Sequence, residues 1–320
     1  MSRYTADFVV RCALTRRDFL QTAGLAATAL SLGSPRTVVE ASLNDTEVPL
    51  IIDCHAHVYG SDESKYPTIA NPYRPPAGKG TTAHLRQQLS AAGVGFAAAI
   101  QTSTFYGWDN RCLADAARDS ADVLAGVCTL NPDDPASPAL LERYVRESNI
   151  RGLRSIPGRS GRYVDPGIEA LWSVAERLGI VVNVNTGREK RAELESLALR
   201  HSSLKVVIDH CLYLSAGKYG EAILGDMLRL SRLQNVYAKL SCVGTGSAES
   251  YPFRDMHEPC QKIIAAFGPD RCVWGSDFPC ELWCPKATYS EHLRVFTHEM
   301  GLDAESKRWI LGETARRLYF

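Results

Sequence analysis

Eight short apolar runs, each followed by a polar loop and most by an amphipathic stretch, constrain the fold of this chain more than any other feature. They fall at 50–54, 97–101, 124–128, 151–155, 180–184, 205–209, 236–240 and 272–275. Runs this short, bounded by polar loops, read as strands buried on both faces. Helical periodicity fills 83–92, 110–120, 167–178, 189–200, 220–230 and 257–267. Several of these stretches stop on glycine, as at Ala92-Gly93 and Leu178-Gly179, where a left-handed residue ends a helix. Strands alternating with helices form parallel β-α-β units, and eight such units close a (β/α)8 TIM barrel. The competing open, doubly wound sheet is disfavoured, because no run leads into a G-x-G-x-x-G turn. A chain of 320 residues accommodates the barrel as one domain, since such barrels run to about 250 residues or more.

The first 41 residues stand outside that pattern. Thr15-Arg16-Arg17-Asp18-Phe19-Leu20 is a twin-arginine sequence, and the weakly apolar run Thr22–Leu30 follows it. Val39-Glu40-Ala41 supplies a small-residue cleavage site. The expected organisation is therefore a signal peptide at 1–41 and a barrel domain at 42–320. The twin-arginine machinery is the expected export partner and the periplasm the expected destination. Removing the leader takes five of the 36 basic residues and three of the 36 acidic ones, leaving a net charge of −2. With no basic excess to neutralise phosphates, a nucleic-acid partner is not expected. No later segment offers the roughly 20 uninterrupted apolar residues of a membrane span. The nine cysteines after the leader are scattered, most of them in apolar runs, and are expected as free thiols. Only Cys280 and Cys284 are spaced so that they could pair.

Two long segments are expected to roof the barrel mouth. Residues 58–80 carry four prolines and three glycines and follow the first run; residues 241–256, rich in Ser and Gly, follow the seventh. Strand C-termini converge at that mouth, so the residues there can be taken together. The first run ends in Asp53-Cys54-His55-Ala56-His57. Strand alternation puts Asp53, His55 and His57 on one side, where two imidazoles can chelate one metal ion or bracket one substrate oxygen. The fourth run supplies Arg154, in phase with Gly152, and the fifth ends in Asn183-Val184-Asn185-Thr186-Gly187. The sixth ends in Asp209-His210, with His210 in phase with Val206 and Ile208. The eighth ends in Trp274-Gly275-Ser276-Asp277-Phe278-Pro279.

Together D-x-H-x-H, I-D-H, N-V-Y-A-K-L-S and F-G-P-D-R-C-V-W-G-S-D-F-P resemble the amidohydrolase-related TIM-barrel hydrolases. The nearer likeness is to the branch of 2-pyrone-4,6-dicarboxylate lactonase and sugar lactonases, whose look Tyr106-Gly107-Trp108-Asp109-Asn110-Arg111 shares. The resemblance runs from about Leu50 to the C-terminal Gly312–Leu318 and implies roles for matching residues. Asp277 would be the general base for an attacking water, and His210 would polarise the scissile carbonyl. His55 and His57 would ligate a divalent metal or act as electrophiles. Arg154 would hold an anionic substrate group, which a guanidinium suits by donating two parallel hydrogen bonds. Arg159 and Arg162 could extend that clamp, and Tyr106 and Asn185 would help bind substrate.

The chain also departs from the wider superfamily. Metal-dependent members usually carry a histidine where this chain has Asn185, and an amide oxygen is a poor zinc ligand beside imidazole. No lysine on the fourth or fifth run is available to bridge two metals. The expectation is a site that needs no metal, or holds a single divalent ion, zinc by preference, on His55, His57 and Asp277. The expected activity is hydrolysis of a lactone or similar cyclic ester bearing a carboxylate or sugar hydroxyls. The alternatives are a metal-dependent decarboxylase or hydratase on the same scaffold, and a catalytically silent barrel that binds a sugar or an acid.

Overall fold

In the computed structural model, residues 50–320 are described; the twin-arginine leader and its boundary at residue 41 lie outside the described residues. The eight expected strands form one parallel sheet in sequential order. They are β1 (Ile52–Ala56), β2 (Phe96–Ile100), β3 (Leu124–Thr129), β4 (Ile150–Ser155), β5 (Val181–Val184), β6 (Val206–Ile208), β7 (Val236–Lys239) and β8 (Cys272–Val273). The sheet nearly closes. The Cys54 N–H donates to the Trp274 carbonyl at 3.0 Å and the His57 N–H to the Phe278 carbonyl at 2.8 Å, with a parallel bridge between Ala56 and Phe278.

Around the strands lie α1 (Thr82–Ala92), α2 (Arg111–Asp119), α3 (Ser137–Glu147), α4 (Pro166–Leu178), α5 (Arg191–Arg200), α6 (Gly220–Leu230) and α7 (His257–Phe267). Near the C-terminus follow α8 (Tyr289–Arg294) and α9 (Thr314–Tyr319). Local chemistry sets several of their ends. Thr81 accepts from the His84 N–H to start α1, and Asp165 accepts from the Gly167 N–H to start α4; left-handed Gly93 and Gly179 stop them. The sequence pattern missed α3, of which only Ser137 and Leu141 are buried.

Alternation along the strands builds two cores. Val182, Val184, Val206 and Ile208 face outward to the helices. Ile52, Cys54, Ile100, Val127, Val181 and Val207 face inward, where Ala315, Leu318 and Tyr319 of α9 plug the barrel floor. Above this apolar floor lies a buried polar layer that includes Thr129, Arg154, Asn183, Asp209 and Lys239. The nine cysteines among the described residues are buried, free thiols. No described helix is long and apolar enough to cross a membrane.

Candidate active site

Two breaks in strand alternation set the geometry of the mouth. On β1, Ile52 and Cys54 pack in the inner core while Ala56 packs in the outer one, and the register with β2 shifts between Asp53 and Ala56. This irregularity turns His55 and His57 into the mouth and leaves Asp53 facing the other way. The expectation that Asp53 shares their side is therefore corrected. Asp53 accepts the N–H groups of His55 (3.0 Å) and Ser276 (2.9 Å) and the hydroxyls of Ser276 (2.5 Å) and Tyr289 (3.0 Å). It ties β1 to the segment after β8 and to α8. Burial raises its pKa despite these four bonds.

The second break follows β6. Val206 and Ile208 belong to the outer core, so a residue in phase with them would point away from the mouth. His210 nevertheless enters, because His210, Cys211, Leu212 and Tyr213 all take positive φ, between 49° and 59°. This left-handed turn costs roughly 1–2 kcal/mol per residue and brings the His210 ring within 4.5 Å of that of His55. The Ser241 hydroxyl lies 2.9 Å from His210 Nδ1, and Tyr213 stacks on the ring at 5.5 Å. Asp277 is also left-handed, at φ 58°. Two residues before it, a Cβ on Gly275 would come within 2.6 Å of the His55 Cβ, so only glycine allows this approach.

His55 Nε2 and His57 Nε2 lie 3.5 and 3.6 Å from the same oxygen of Asp277, Oδ1. His57 Nδ1–H donates to the Ile100 carbonyl at 2.8 Å, which leaves Nε2 as an acceptor in the neutral ring. Both ring nitrogens of His55 are buried without a hydrogen-bond partner, and Nδ1 faces Asp209 at 3.8 Å. Two imidazoles and a carboxylate, their ligand atoms all within 4.8 Å of one another, thus form a cluster consistent with a divalent-metal site. A buried set rich in acceptors is the environment a cation satisfies.

Neighbouring charges set the protonation states. Burial alone would raise the pKa of Asp277, but His210, His57 and Arg154 outweigh it and hold the group below the usual carboxylate range. Burial and Arg154 keep His210 below the ordinary imidazole value against the opposing pull of Asp277 and Asp209. Burial, then Lys239, His210, His57 and Arg154, push His55 well below it. For Asp209 burial is overcome by Lys239, Arg154 and His210, so this carboxylate too is ionised.

A cavity of about 220 Å³ opens onto the cluster and is lined by His57, Thr102, Ser103, Thr104, Arg154, Asn185, His210, Tyr213, Thr245, Asp277 and Trp283. The Trp283 ring lies 5.4 Å from that of His57 and 5.0 Å from that of Tyr73, so segment 58–80 reaches the rim through Tyr73. Segment 241–256 contributes Thr245. The structure therefore brings His55, His57, Arg154, Asn185, His210 and Asp277 together at the mouth. Tyr106, Arg159 and Arg162 do not line the cavity. The Tyr106 hydroxyl accepts from the Gly60 N–H at 2.8 Å, Arg159 is exposed beside Asp133 at 3.5 Å, and Arg162 is exposed. A larger cavity of about 390 Å³, bordered by Gln88, Glu281, Lys286 and Glu291, holds none of the converging groups. Sequence reasoning missed Lys239, Ser241, Tyr213 and Trp283. The lysine of N-V-Y-A-K-L-S was visible as a charge inside an otherwise buried run.

A family model described as amidohydrolase matches residues 52–320. No curated protein matches the sequence. Among solved structures, a probable 2-pyrone-4,6-dicarboxylic acid hydrolase from Acinetobacter baumannii with citric acid bound superposes with a TM-score of 0.72 at 20% identity, over 84% of this chain and 98% of that one. An amidohydrolase from Burkholderia multivorans with bound zinc gives 0.68 at 23% identity, over 84% and 99%. The 5-carboxyvanillate decarboxylase from Sphingomonas paucimobilis gives 0.60 at 16% identity, over 85% and 99%.

Proposed function

The chain belongs to the amidohydrolase family, and from that premise we propose that it is a hydrolase that opens a lactone or similar cyclic ester. The observation that carries this reading is one ionised, buried carboxylate, Asp277, facing His55, His57 and His210 across the cavity from Arg154. His55, His57 and Asp277 are the residues that would hold a divalent ion, which when bound would polarise the carbonyl and acidify water.

The chain's own groups perform the remaining work. Both imidazole contacts use Asp277 Oδ1, so Oδ2 is available to take a proton from the attacking water. In its neutral form, and with the Ser241 hydroxyl donating to Nδ1, His210 can donate its Nε2–H to the carbonyl oxygen as negative charge develops there. Arg154 offers its guanidinium to one carboxylate of the substrate. Thr102, Ser103, Thr104, Thr245, Asn185 and Tyr213 present neutral polar groups, which suits a ligand bearing hydroxyls. A single guanidinium on the cavity wall favours one carboxylate over two.

The deciding experiment is a panel of lactones, with and without carboxylates, assayed with and without added zinc or manganese. Ring opening of at least one member is expected. Carbon dioxide release from a carboxylated substrate, without lactone opening, would replace this reading by the decarboxylase alternative. Export through the twin-arginine machinery to the periplasm belongs to the same proposal and rests on the leader sequence. Cell fractionation of an Arg16→Lys/Arg17→Lys variant tests it, with retention in the cytoplasm as the expected result.

A further inference from the structure

We propose that Lys239 is a positioning residue for anion binding: by pairing with Asp209 it leaves the Arg154 guanidinium free to take a substrate carboxylate. The proposal rests on the reading of Arg154 as the carboxylate anchor and adds the device that keeps the anchor available. Lys239 ends β7 with its side chain wholly inside the barrel, beneath the cavity, and does not itself line that cavity. Its ammonium lies 2.9 Å from Asp209 Oδ1 and 5.8 Å from the centre of the Tyr319 ring. Asn183 donates to the same carboxylate oxygen at 3.2 Å. The other oxygen of Asp209 faces Arg154 Nε at 3.6 Å, beyond hydrogen-bonding distance.

Asp209 therefore has two cations in reach and makes contact with the one that cannot touch a ligand. A guanidinium beside a lone buried carboxylate would close onto it, because a charge-assisted pair at contact distance is strong where water is excluded. Arg154 would then meet an incoming anion already neutralised. Lys239 counters this by placing its charge 2.9 Å from Asp209 Oδ1, on the side away from the cavity. A lysine that served only to balance buried charge would not require Arg154 to stand off.

The test measures binding of lactate and citrate by titration calorimetry, using the purified chain and three variants. Wild type is expected to bind at least one of these probes and Arg154→Met to lose that binding. Lys239→Met, which keeps the length of the lysine stem and removes the ammonium, is expected to weaken binding by about tenfold or more as Arg154 pairs with Asp209. The double variant Lys239→Met/Asp209→Asn removes both charges and is expected to return to within about threefold of wild type. A folded Lys239→Met protein with unchanged affinity, or a double variant no better than the single one, overturns the proposal. Should Lys239→Met fail to fold, the double variant decides: near-wild-type affinity supports the proposal and a tenfold loss sinks it. If wild type binds neither probe, or binds equally without Arg154, the anchor reading fails and this proposal with it. Intact dependence on Arg154 with no effect at Lys239 refutes this proposal alone.

Discussion

Asp277 and His292 are both buried titratable groups, yet their surroundings push them toward different tasks. Asp277 keeps its charge because His210, His57 and Arg154 outweigh burial. Asp277→Asn should therefore fold and, on any lactone that proves to be a substrate, lose about 10²- to 10⁴-fold in kcat. Full activity in that variant would remove it as the base. For His292, on α8, the neighbouring charges do not outweigh burial. Burial, opposed by Asp277 and Glu291, holds its imidazole down at about 4. In the unfolded chain it would take a proton near pH 6.5, so the unfolded state binds more protons between those two values. The contribution of neutral His292 is complete above about pH 6.5 and declines as pH falls toward 4, by about 3 kcal/mol in all. Thermal melts should show the wild type losing more stability than His292→Asn between about pH 7.5 and pH 5; equal losses would contradict this account.

At the scale of elements, the mouth depends on two departures from regular strand geometry. The irregularity in β1 and the left-handed turn after β6 both lie where histidines enter the cavity. Strand periodicity indicated which runs carry the chemistry, and His55, His57, His210 and Asp277 stood out as polar ends on apolar runs. It could not indicate the side on which each residue emerges, because alternation has no knowledge of a bulge or a positive φ. Asp53 and His210 were accordingly placed by the wrong phase. The tasks of Lys239 and Ser241 were not legible either, since each depends on a neighbour from a different strand. Gly275 gives an element-scale prediction. Gly275→Ala would drive a methyl group against His55 and should destabilise the fold by about 1–3 kcal/mol, with activity falling further than stability. Chemical denaturation and initial rates measured on the same preparation check this.

At the scale of the whole molecule, the barrel interior is apolar below and polar above, and α9 closes the lower end. The Tyr319 hydroxyl donates to Asn183 Oδ1 at 3.1 Å, and the Asn183 amide in turn donates to Asp209, so the C-terminal plug reaches the layer under the cavity. Tyr319→Phe should cost about 1 kcal/mol for the lost bond, whereas Tyr319→Ala should cost about 3–5 kcal/mol through loss of the plug itself. Urea melts separate the two. The sheet is weakest where β8 meets β1: two backbone hydrogen bonds, one bridge and the Asp53 tie span that line. His55 and His57 stand on one side of it and Asp277 on the other. A cation shared by the three would thus act as a clasp on a seam, coupling the load state of the site to the integrity of the whole barrel. Chelation should lower the melting temperature and speed hydrogen exchange first at the amides of Cys54 and His57, making these two amides local reporters of site occupancy.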